Sequence, residues 1–249
     1  MGAVYMMWLR QIKRYWRSKS RMVGSLAQPL LFLVALGFGF GSVYKAANGG
    51  SYIDFLAPGI IAMSILFTAV FTGMEVVWDR QFGFLKETLV APVSRFKIML
   101  GRTLGGATVA TAQGLIVLIL CLLIGFRPSS YLVGLSLALV FMFLIALLFT
   151  AIGTAIASKI NDMQGFGLIV NFLIMPLFFL SGALFPLDNL PKALSLVTKI
   201  DPLTYGVDGL RSALTGVSYF GITLDFTVLA VLILISLWIG GKLFNKIQI

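Results

Sequence analysis

The stretch of residues 131–158, YLVGLSLALVFMFLIALLFTAIGTAIAS, decides the fold class. It contains no charged residue, and an α-helix needs about 20 consecutive apolar residues to cross the ~30 Å hydrocarbon layer of a bilayer. It also lacks the alternation of apolar and polar residues that a transmembrane β-strand requires. The stretch therefore predicts a membrane-spanning α-helix.

Five further stretches are also 20 or more residues long, mainly apolar and carry few or no charges: residues 22–43, 57–78, 101–126, 165–185 and 222–244. Hydrophobic residues make up 59% of the 249 residues and charged residues only 11%, which is too few charges to cover a soluble globule. We therefore predict an all-α, polytopic membrane protein with six transmembrane helices, forming a single transmembrane domain over residues 1–249.

The 19 Lys and Arg residues divide unevenly between the two sides of this arrangement. Fourteen fall on the side of both termini and five on the other side, among them Lys45 and Arg127. Basic residues concentrate in cytoplasmic loops, so this split predicts both termini in the cytoplasm of a multi-pass protein of the plasma (inner) membrane. Topology thus accounts for the net charge of +10, and we do not expect a nucleic-acid partner.

Residues 1–21 carry six basic residues and no acidic one. Trp8, Ile12 and Trp16 recur every four residues, with the arginines mostly on another face. This pattern is typical of a helix that lies in the membrane interface, with tryptophan at headgroup depth and cations toward anionic lipid. A cleaved signal peptide is the alternative, but the apolar stretch that follows is too long and lacks a small-residue cleavage site.

The sequence lacks the residues that acid–base catalysis, metal binding and nucleotide binding usually require. The chain has no histidine, and its one cysteine, Cys121, lies inside an apolar stretch. Histidine is the commonest general base and metal ligand, so we expect no catalytic residue and no metal site. No G-x-x-x-x-G-K-[ST] loop is present, and the sequence GGKL at residues 240–243 does not replace it, so we expect no nucleotide cofactor on this chain.

The loop between the second and third predicted spans reads DRQFGFLKETLVAPVSR over residues 79–95. It predicts a short amphipathic helix over residues 82–91, with Lys86 and Glu87 facing water and Pro92 ending it. Its apolar positions, at near-helical spacing, are Phe82, Leu85, Leu89 and Val90. Such a helix between two spans is a natural docking element for a cytoplasmic partner. The alternative is an interfacial helix that rests on lipid.

Two motifs resemble the membrane subunits of type-2 ABC exporters, the permeases of the daunorubicin-resistance, nodulation-factor and polysaccharide-export kind. The first is FLKETLVAPVSR at residues 84–95. The second combines LSGALFP at 180–186, LP at 190–191 and DPLTYGVDGLR at 201–211. Their order, together with the six-span topology, extends the resemblance over nearly the whole chain.

The resemblance implies a half-channel that pairs with a second permease and with two cytoplasmic ABC ATPase subunits. ATP and Mg²⁺ then belong to the partner subunit. The second permease is expected to be a copy of this chain, with a heterodimer as the alternative. The 82–91 helix becomes the coupling helix, with Glu87 as its family-typical acid. The docking residues are then Phe82, Phe84, Leu85, Lys86, Glu87, Leu89, Pro92 and Arg95.

The 186–221 segment is long enough to hold structure of its own. Asp201 followed by Pro202 predicts a helix start, as Ser94 does for the third span, and Pro191 is expected to open a second short helix. We expect both to dip into the outer leaflet. The resemblance puts them at the outer exit of a pathway, and a surface hairpin without a transport role is the alternative. The outer gate candidates are Ser181, Pro186, Pro191, Pro202, Tyr205 and Arg211.

Few polar side chains interrupt the spans. Glu75 lies one turn inside the second span, and we expect it to pair with Arg80 or Arg102 because a lone carboxylate in a membrane is costly. Gln113 and Asn171 are expected to hydrogen-bond between helices, although lining the pathway is the alternative. The candidates for buried polar or pathway residues are Glu75, Thr68, Thr72, Gln113 and Asn171.

Two G-x-x-x-G pairs, Gly37/Gly41 and Gly101/Gly105, permit close approach of helices without indicating which pair, if either, faces a second subunit. Asp225, at the start of the sixth span, is expected at the outer edge of the membrane in contact with water.

An exporter subunit driven by ATP is the function that these features favour, with an amphipathic cargo such as a drug, a lipid or a lipid-linked glycan. A secondary carrier or channel without an ATPase partner is the alternative. Such proteins place ionisable residues near mid-membrane or repeat broken helices in two halves, and the sequence has neither feature. A membrane-embedded enzyme is the least favoured class, because histidine and clustered acids are missing.

Overall fold

A computed structural model describes residues 2–39, 41, 51–187 and 191–247, and the regular elements of this part are helices. In chain order they are α1 (Gly2–Arg17), α2 (Lys19–Gly39), α3 (Tyr52–Gln81), α4 (Phe84–Val90), α5 (Arg95–Ile124), α6 (Leu132–Ala157), α7 (Met163–Leu180), α8 (Lys192–Ile200), α9 (Pro202–Thr215) and α10 (Ile222–Asn245). Six of these, α2, α3, α5, α6, α7 and α10, are long and apolar enough to cross a membrane. The prediction of an all-α protein with six such helices is confirmed.

The helix ends follow local capping signals. Ser94 caps α5 as predicted, because its side chain accepts a hydrogen bond from the backbone N–H of Lys97 at 3.4 Å.

α3 begins at Tyr52 rather than at residue 57, so it is longer than expected. The far end of the first predicted span, residues 40, 42 and 43, lies outside the described residues, as do Lys45 and Leu190.

The core forms around α3 and α6, which pack against each other and against α5 and α9. The backbones of α3 and α6 come close at Gly73 and Gly153, where a Cβ on Gly153 would lie 2.6 Å from the carbonyl oxygen of Val70. Most of the apolar stretch of α3 is buried, whereas α2, α7 and α10 bury only a small part of theirs. Three of the six long helices therefore present apolar surface to lipid or to a second subunit.

One end of the bundle, called the basic end here, gathers α1, α4 and the C-terminal residues. Arg80 of α3 donates to the carbonyl oxygens of Ser158 (3.1 Å) and Ile160 (2.8 Å) just after α6. Arg95 donates to the carbonyl oxygens of Asn245 (2.8 Å) and Ile247 (2.9 Å) at the end of α10. Both arginines satisfy carbonyl groups at helix C-termini, where cations are favourable. The opposite end, called the capped end, holds the 181–187 segment, α8 and α9.

α1 packs along α5, which differs from a helix that only rests on the membrane interface. Trp8 donates from its indole N–H to the hydroxyl of Thr108 at 3.0 Å instead of to a headgroup. A Cβ on Gly105 would lie 2.6 Å from the Cβ of Gln11, so the missing side chain is what lets the helices touch. The Gly101/Gly105 pair therefore receives α1 of the same chain.

The predicted coupling helix is shorter than expected. It begins at Phe84 because Gly83 has a φ of +80°, a left-handed conformation that breaks the helix and favours glycine. Phe82 instead belongs to the turn that ends α3. Leu85 is buried as predicted, but Phe82 and Val90, assigned to the same apolar stripe, are exposed. The helix therefore buries one narrow edge and presents an apolar surface outward.

Candidate functional site

A buried ionic cluster joins α1, α3 and α5 at the basic end. Asp79 of α3 is 3% exposed and forms a two-oxygen ion pair with Arg10, with N–O distances of 3.0 and 3.1 Å. Arg14 lies 3.4 Å from the same carboxylate, and Arg102, 2% exposed, donates to its second oxygen. One carboxylate thus holds three guanidinium groups, and such charge-assisted pairs are among the stronger hydrogen bonds.

Glu75 forms an ion pair with Arg14, at 3.7 Å, which the sequence did not predict, and Arg102, one of the two expected partners, also attracts its carboxylate. Arg80 caps the end of α6, and Arg102 lies against Asp79. The pairing of Glu75 with Arg14 has a geometric cause. α1 folds back along α5 and brings Arg14 next to the half of α3 that lies at the basic end. A linear reading of neighbouring loops does not reveal this long-range approach.

A half-open cavity of about 630 Å³ lies between α1, α2 and α3, over the half of α3 nearer the basic end. Its wall is mainly apolar, formed by residues such as Met63, Phe67, Phe71, Met74 and Trp78. Its polar side chains include Arg14, Ser25, Gln28, Ser64, Thr68 and Glu75. The arrangement suits a molecule with apolar and polar parts, because ligand sites combine apolar walls with a few placed polar groups.

Of the five buried polar candidates, the structure brings Thr68 and Glu75 to this cavity. Thr72 is buried against α5 and donates to the carbonyl oxygen of Ala69 at 2.6 Å. Gln113 is buried and accepts a hydrogen bond from the hydroxyl of Tyr15, so it joins two helices as expected.

Asn171 forms no hydrogen bond to another helix among the residues that the structure describes. It lies on the exposed side of α7, away from the cavity. The buried residues of α7 are Phe166, Val170, Ile174 and Phe178, which recur every four positions. Asn171 follows Val170 by one residue, which turns it about 100° away from that buried stripe.

The residues assigned to docking surround α4 at the basic end. Phe82, Phe84, Lys86 and Glu87 are exposed, and Leu85 is the buried anchor of the helix. Leu89 is half-buried and packs against the core. Pro92 is exposed in the bend that ends the helix, and Arg95 binds the end of α10. α4 and the turn before it therefore offer an exposed patch with two phenylalanines and both signs of charge.

At the capped end, the 181–187 segment is not helical, yet much of it is buried. Arg211 of α9 donates to the carbonyl oxygen of Gly182 at 2.9 Å, and Tyr52 of α3 donates to that of Leu184 at 3.1 Å. The hydroxyl of Ser181 donates to the carbonyl oxygen of Phe178 at 2.8 Å, and Gly59 of α3 lies against the backbone of Ala183. Side chains from two helices thus satisfy backbone groups that irregular structure leaves unpaired.

The other gate candidates lie in α9, just before α8 and within the 181–187 segment. Pro202 occupies the first turn of α9, as predicted, after Asp201 accepts from the backbone N–H of Leu203 at 2.8 Å. Tyr205 ties the two helices together by donating to the carbonyl oxygen of Lys199 at 2.7 Å. Pro191 precedes α8 and is exposed, whereas Pro186 is half-buried in the 181–187 segment.

α8 and α9 differ in what they bury. The apolar stripe of α9, including Leu203 and Val207, is part of the core. By contrast, apolar residues of α8 such as Val197 and Ile200 are exposed. α9 is therefore an integral packing element, and α8 is the one of the two that presents an apolar face to its surroundings.

Asp225 is fully buried, which corrects the prediction that it contacts water. The turn between α9 and α10 is held against α9, because Asp208 of α9 accepts hydrogen bonds from the backbone N–H groups of Tyr219 (2.8 Å) and Phe220 (2.7 Å). The side chains of Phe220 and Tyr205 pack together with ring centroids 5.1 Å apart.

The sequence did not single out Arg14, Tyr52 or the polar residues of α2. Ser25 and Gln28 lie three residues apart and therefore share one face of α2. That pattern is the signal that predicts a polar stripe toward the cavity. Tyr52 carries no comparable signal, because its partner is a backbone carbonyl more than 130 positions away in the chain.

Comparisons with a family model and with individual known proteins agree on one family. Residues 2–215 match the family model described as ABC-2 type transporter. The chain is 27% identical to nodulation protein J of Rhizobium leguminosarum bv. viciae, over 90% of this chain and 86% of that protein. It is 30% identical to nodulation protein J of Rhizobium meliloti (strain 1021), over 78% and 74%. It is 28% identical to the inner membrane transport permease YadH of Escherichia coli (strain K12), over 93% and 90%.

Proposed function

The chain belongs to the ABC-2 type transporter family, and on that premise we propose that it forms half of the membrane pathway of an ATP-driven exporter. ATP and Mg²⁺ are bound by a separate subunit that docks at the basic end, and a second permease completes the pathway. The basic end then faces the cytoplasm with both termini, in keeping with the excess of Lys and Arg on that side.

The half-open cavity between α1, α2 and α3 carries this proposal. Its aromatic wall and its polar groups match an amphipathic cargo, such as a lipid, a lipid-linked glycan or a drug. α2 forms one wall while burying little of its own surface within the chain. A second permease against that surface encloses the cavity, which a single chain leaves open.

The position of α4 supports its role as the element that receives force from the ATPase. α4 connects directly to α3 on one side and to α5 on the other. Asp79 of α3 and Arg102 of α5 are ion-paired close to these connections, so the two helices move together when α4 is pushed. α3 also forms a wall of the cavity, so the movement reaches the pathway.

We expect the neighbouring gene to encode an ATPase with a Walker motif, and the two proteins to copurify. In the complex, Phe84→Ala is expected to reduce copurification of the ATPase about tenfold, since aromatic anchors dominate interface energies. Glu87→Ala is expected to have a similar effect, because Glu87 is the exposed acid of the same docking surface. Cargo-stimulated ATPase activity in proteoliposomes should fall in parallel, while membrane insertion stays intact.

Phe226→Ala on α10 is the matched control, because Phe226 is exposed to a similar degree and lies far from α4 in the chain. It should leave copurification and ATPase activity unchanged. Full cargo-stimulated ATPase activity in Phe84→Ala and Glu87→Ala would contradict docking at α4. Transport that persists without any ATPase would instead favour a secondary carrier.

A further inference from the structure

A second hollow, of about 800 Å³, lies at the basic end between α1 and the beginning of α4. We call it the inner groove. Four cations from one face of α1 line it: Arg10, Lys13, Arg14 and Arg17. Its apolar wall consists of Met6, Leu9, Trp78, Phe82 and Phe84. Cations and aromatic rings therefore face the same space.

The charges of the inner groove do not balance. Asp79 is the acid on its lining, and it is shared between Arg10, Arg14 and the buried Arg102. Lys13 and Arg17 are exposed and form no ion pair within the described part of the chain. The groove thus holds an excess of positive charge, with two cations available to a ligand.

The shape of the inner groove favours an anionic amphiphile over a free anion. A small anion contacts the cations alone and makes no use of the apolar wall that Met6, Leu9 and Trp78 supply. Trp78 is 42% exposed, and an apolar chain against it removes apolar surface from water. An anionic headgroup on Lys13 and Arg17, with its apolar chain along Met6, Leu9 and Trp78, uses both surfaces and leaves Phe84 to the ATPase.

The inner groove adjoins the larger cavity. Arg14, Ser18 and Trp78 line both spaces, so a molecule that leaves one enters the other. Arg14 also reaches Glu75, which lies on the wall of the larger cavity. The polar path from groove to cavity is therefore continuous.

We propose that the inner groove is the loading site for the headgroup of an anionic, lipid-like cargo. Lys13 and Arg17 bind the headgroup as it arrives from the cytoplasmic leaflet. The headgroup then moves past Arg14 into the cavity between α1, α2 and α3. This inference rests on the proposed exporter function and narrows its cargo. It selects anionic lipids and lipid-linked anionic molecules and disfavours cationic drugs.

The test uses the permease with its ATPase in phosphatidylcholine proteoliposomes and two probes with the same fluorescent acyl chain. One probe is lysophosphatidic acid, which is anionic, and the other is lysophosphatidylcholine, which is zwitterionic. Fluorescence titration gives the binding affinity. ATP-dependent protection of the label from an external quencher gives transport. The variants are Lys13→Gln and Arg17→Gln, with Lys19→Gln as the control, because Lys19 is an exposed cation that does not line the groove.

We expect the anionic probe to bind more tightly than the zwitterionic one, and each groove variant to weaken its binding about fivefold. The variants should raise the concentration needed for half-maximal transport and leave the maximal rate unchanged. Lys19→Gln should behave as wild type, and the difference between the probes should shrink at high salt.

Equal affinity for the two probes would overturn the inference, and so would an effect of Lys19→Gln as large as that of the groove variants. Saturable binding of the anionic probe without transport of it would also overturn the cargo assignment and indicate a resident lipid. These results are distinguishable from failure of the exporter function. In that case the wild-type complex shows no coupled ATPase activity with any probe.

Discussion

Asp201 combines two roles at the junction of α8 and α9. Its carboxylate caps α9 by accepting from the backbone N–H of Leu203, and it is almost completely buried. A cap favours the ionised form, whereas burial disfavours it. Burial has the larger effect and raises the pKa of Asp201 to about 7. The residue therefore changes its charge near physiological pH.

The raised pKa of Asp201 predicts a loss of stability as the pH rises. Between about pH 4 and pH 7 the unfolded chain has released this proton while the folded chain retains it, so folding binds a proton. The stabilisation is fully present below pH 4 and is lost as the pH passes 7. We expect the thermal midpoint in detergent to fall by about 5 °C between pH 5 and pH 8.

Asp201→Asn keeps an oxygen that accepts from Leu203 but cannot ionise, so it should remove this part of the pH dependence. Asp162→Asn is the control, because Asp162 caps α7 in the same way but is exposed. An unchanged slope in Asp201→Asn, or a slope lost equally in Asp162→Asn, would show that another group is responsible.

Among the elements, α1 depends on a close approach to α5. It packs on α5 where Gly105 leaves room for Gln11, and the ionic cluster around Asp79 forms on the same side. Gly105→Val puts a branched side chain where the Cβ alone would lie 2.6 Å from the Cβ of Gln11. Overpacking of this kind costs about 1–3 kcal/mol, so we expect the thermal midpoint to fall by roughly 5 °C.

Gly167→Val in α7 is the matched control, because a Cβ there meets nothing within 4 Å. Both variants place valine in a helix and pay the same intrinsic penalty for a β-branched residue. Thermal unfolding that shifts equally in the two variants would mean that α1 is free to move away from α5.

The same elements show what the sequence determines. Runs such as 131–158 predict helices without reference to anything else, and Ser94 and Asp201 mark helix starts because capping is local. Pairing is not local. Glu75 forms an ion pair with Arg14, a residue remote from it in the chain, because α1 packs on α5 and so reaches α3. The orientation of Asn171 likewise depends on which face of α7 the core selects.

At the scale of the whole molecule, α2, α7 and α10 leave most of their apolar surface unburied, and the proposed pairing would cover part of it with a second permease. We expect native mass spectrometry of the complex to show two copies of the 27.1 kDa chain with two ATPase subunits. Helices in a membrane associate by packing and by hydrogen bonds, and the exposed Asn171 supplies a polar group for such contact. One copy of this chain with a different permease would indicate a heterodimer, and a single permease would contradict the pairing.

The hydrogen bonds that hold the 181–187 segment bear on how the capped end opens in the proposed exporter. Arg211 and Tyr52 hold the carbonyl oxygens of Gly182 and Leu184, and hydrocarbon offers no substitute for those hydrogen bonds. The segment can leave its place only when water arrives to take over the carbonyl groups. In the proposed exporter, where this segment closes the outer exit, opening is therefore a wetting event, in which the exit is either dry and shut or hydrated and passable. We expect the hydration of a short stretch of backbone, more than the bulk of any side chain, to set the threshold for release.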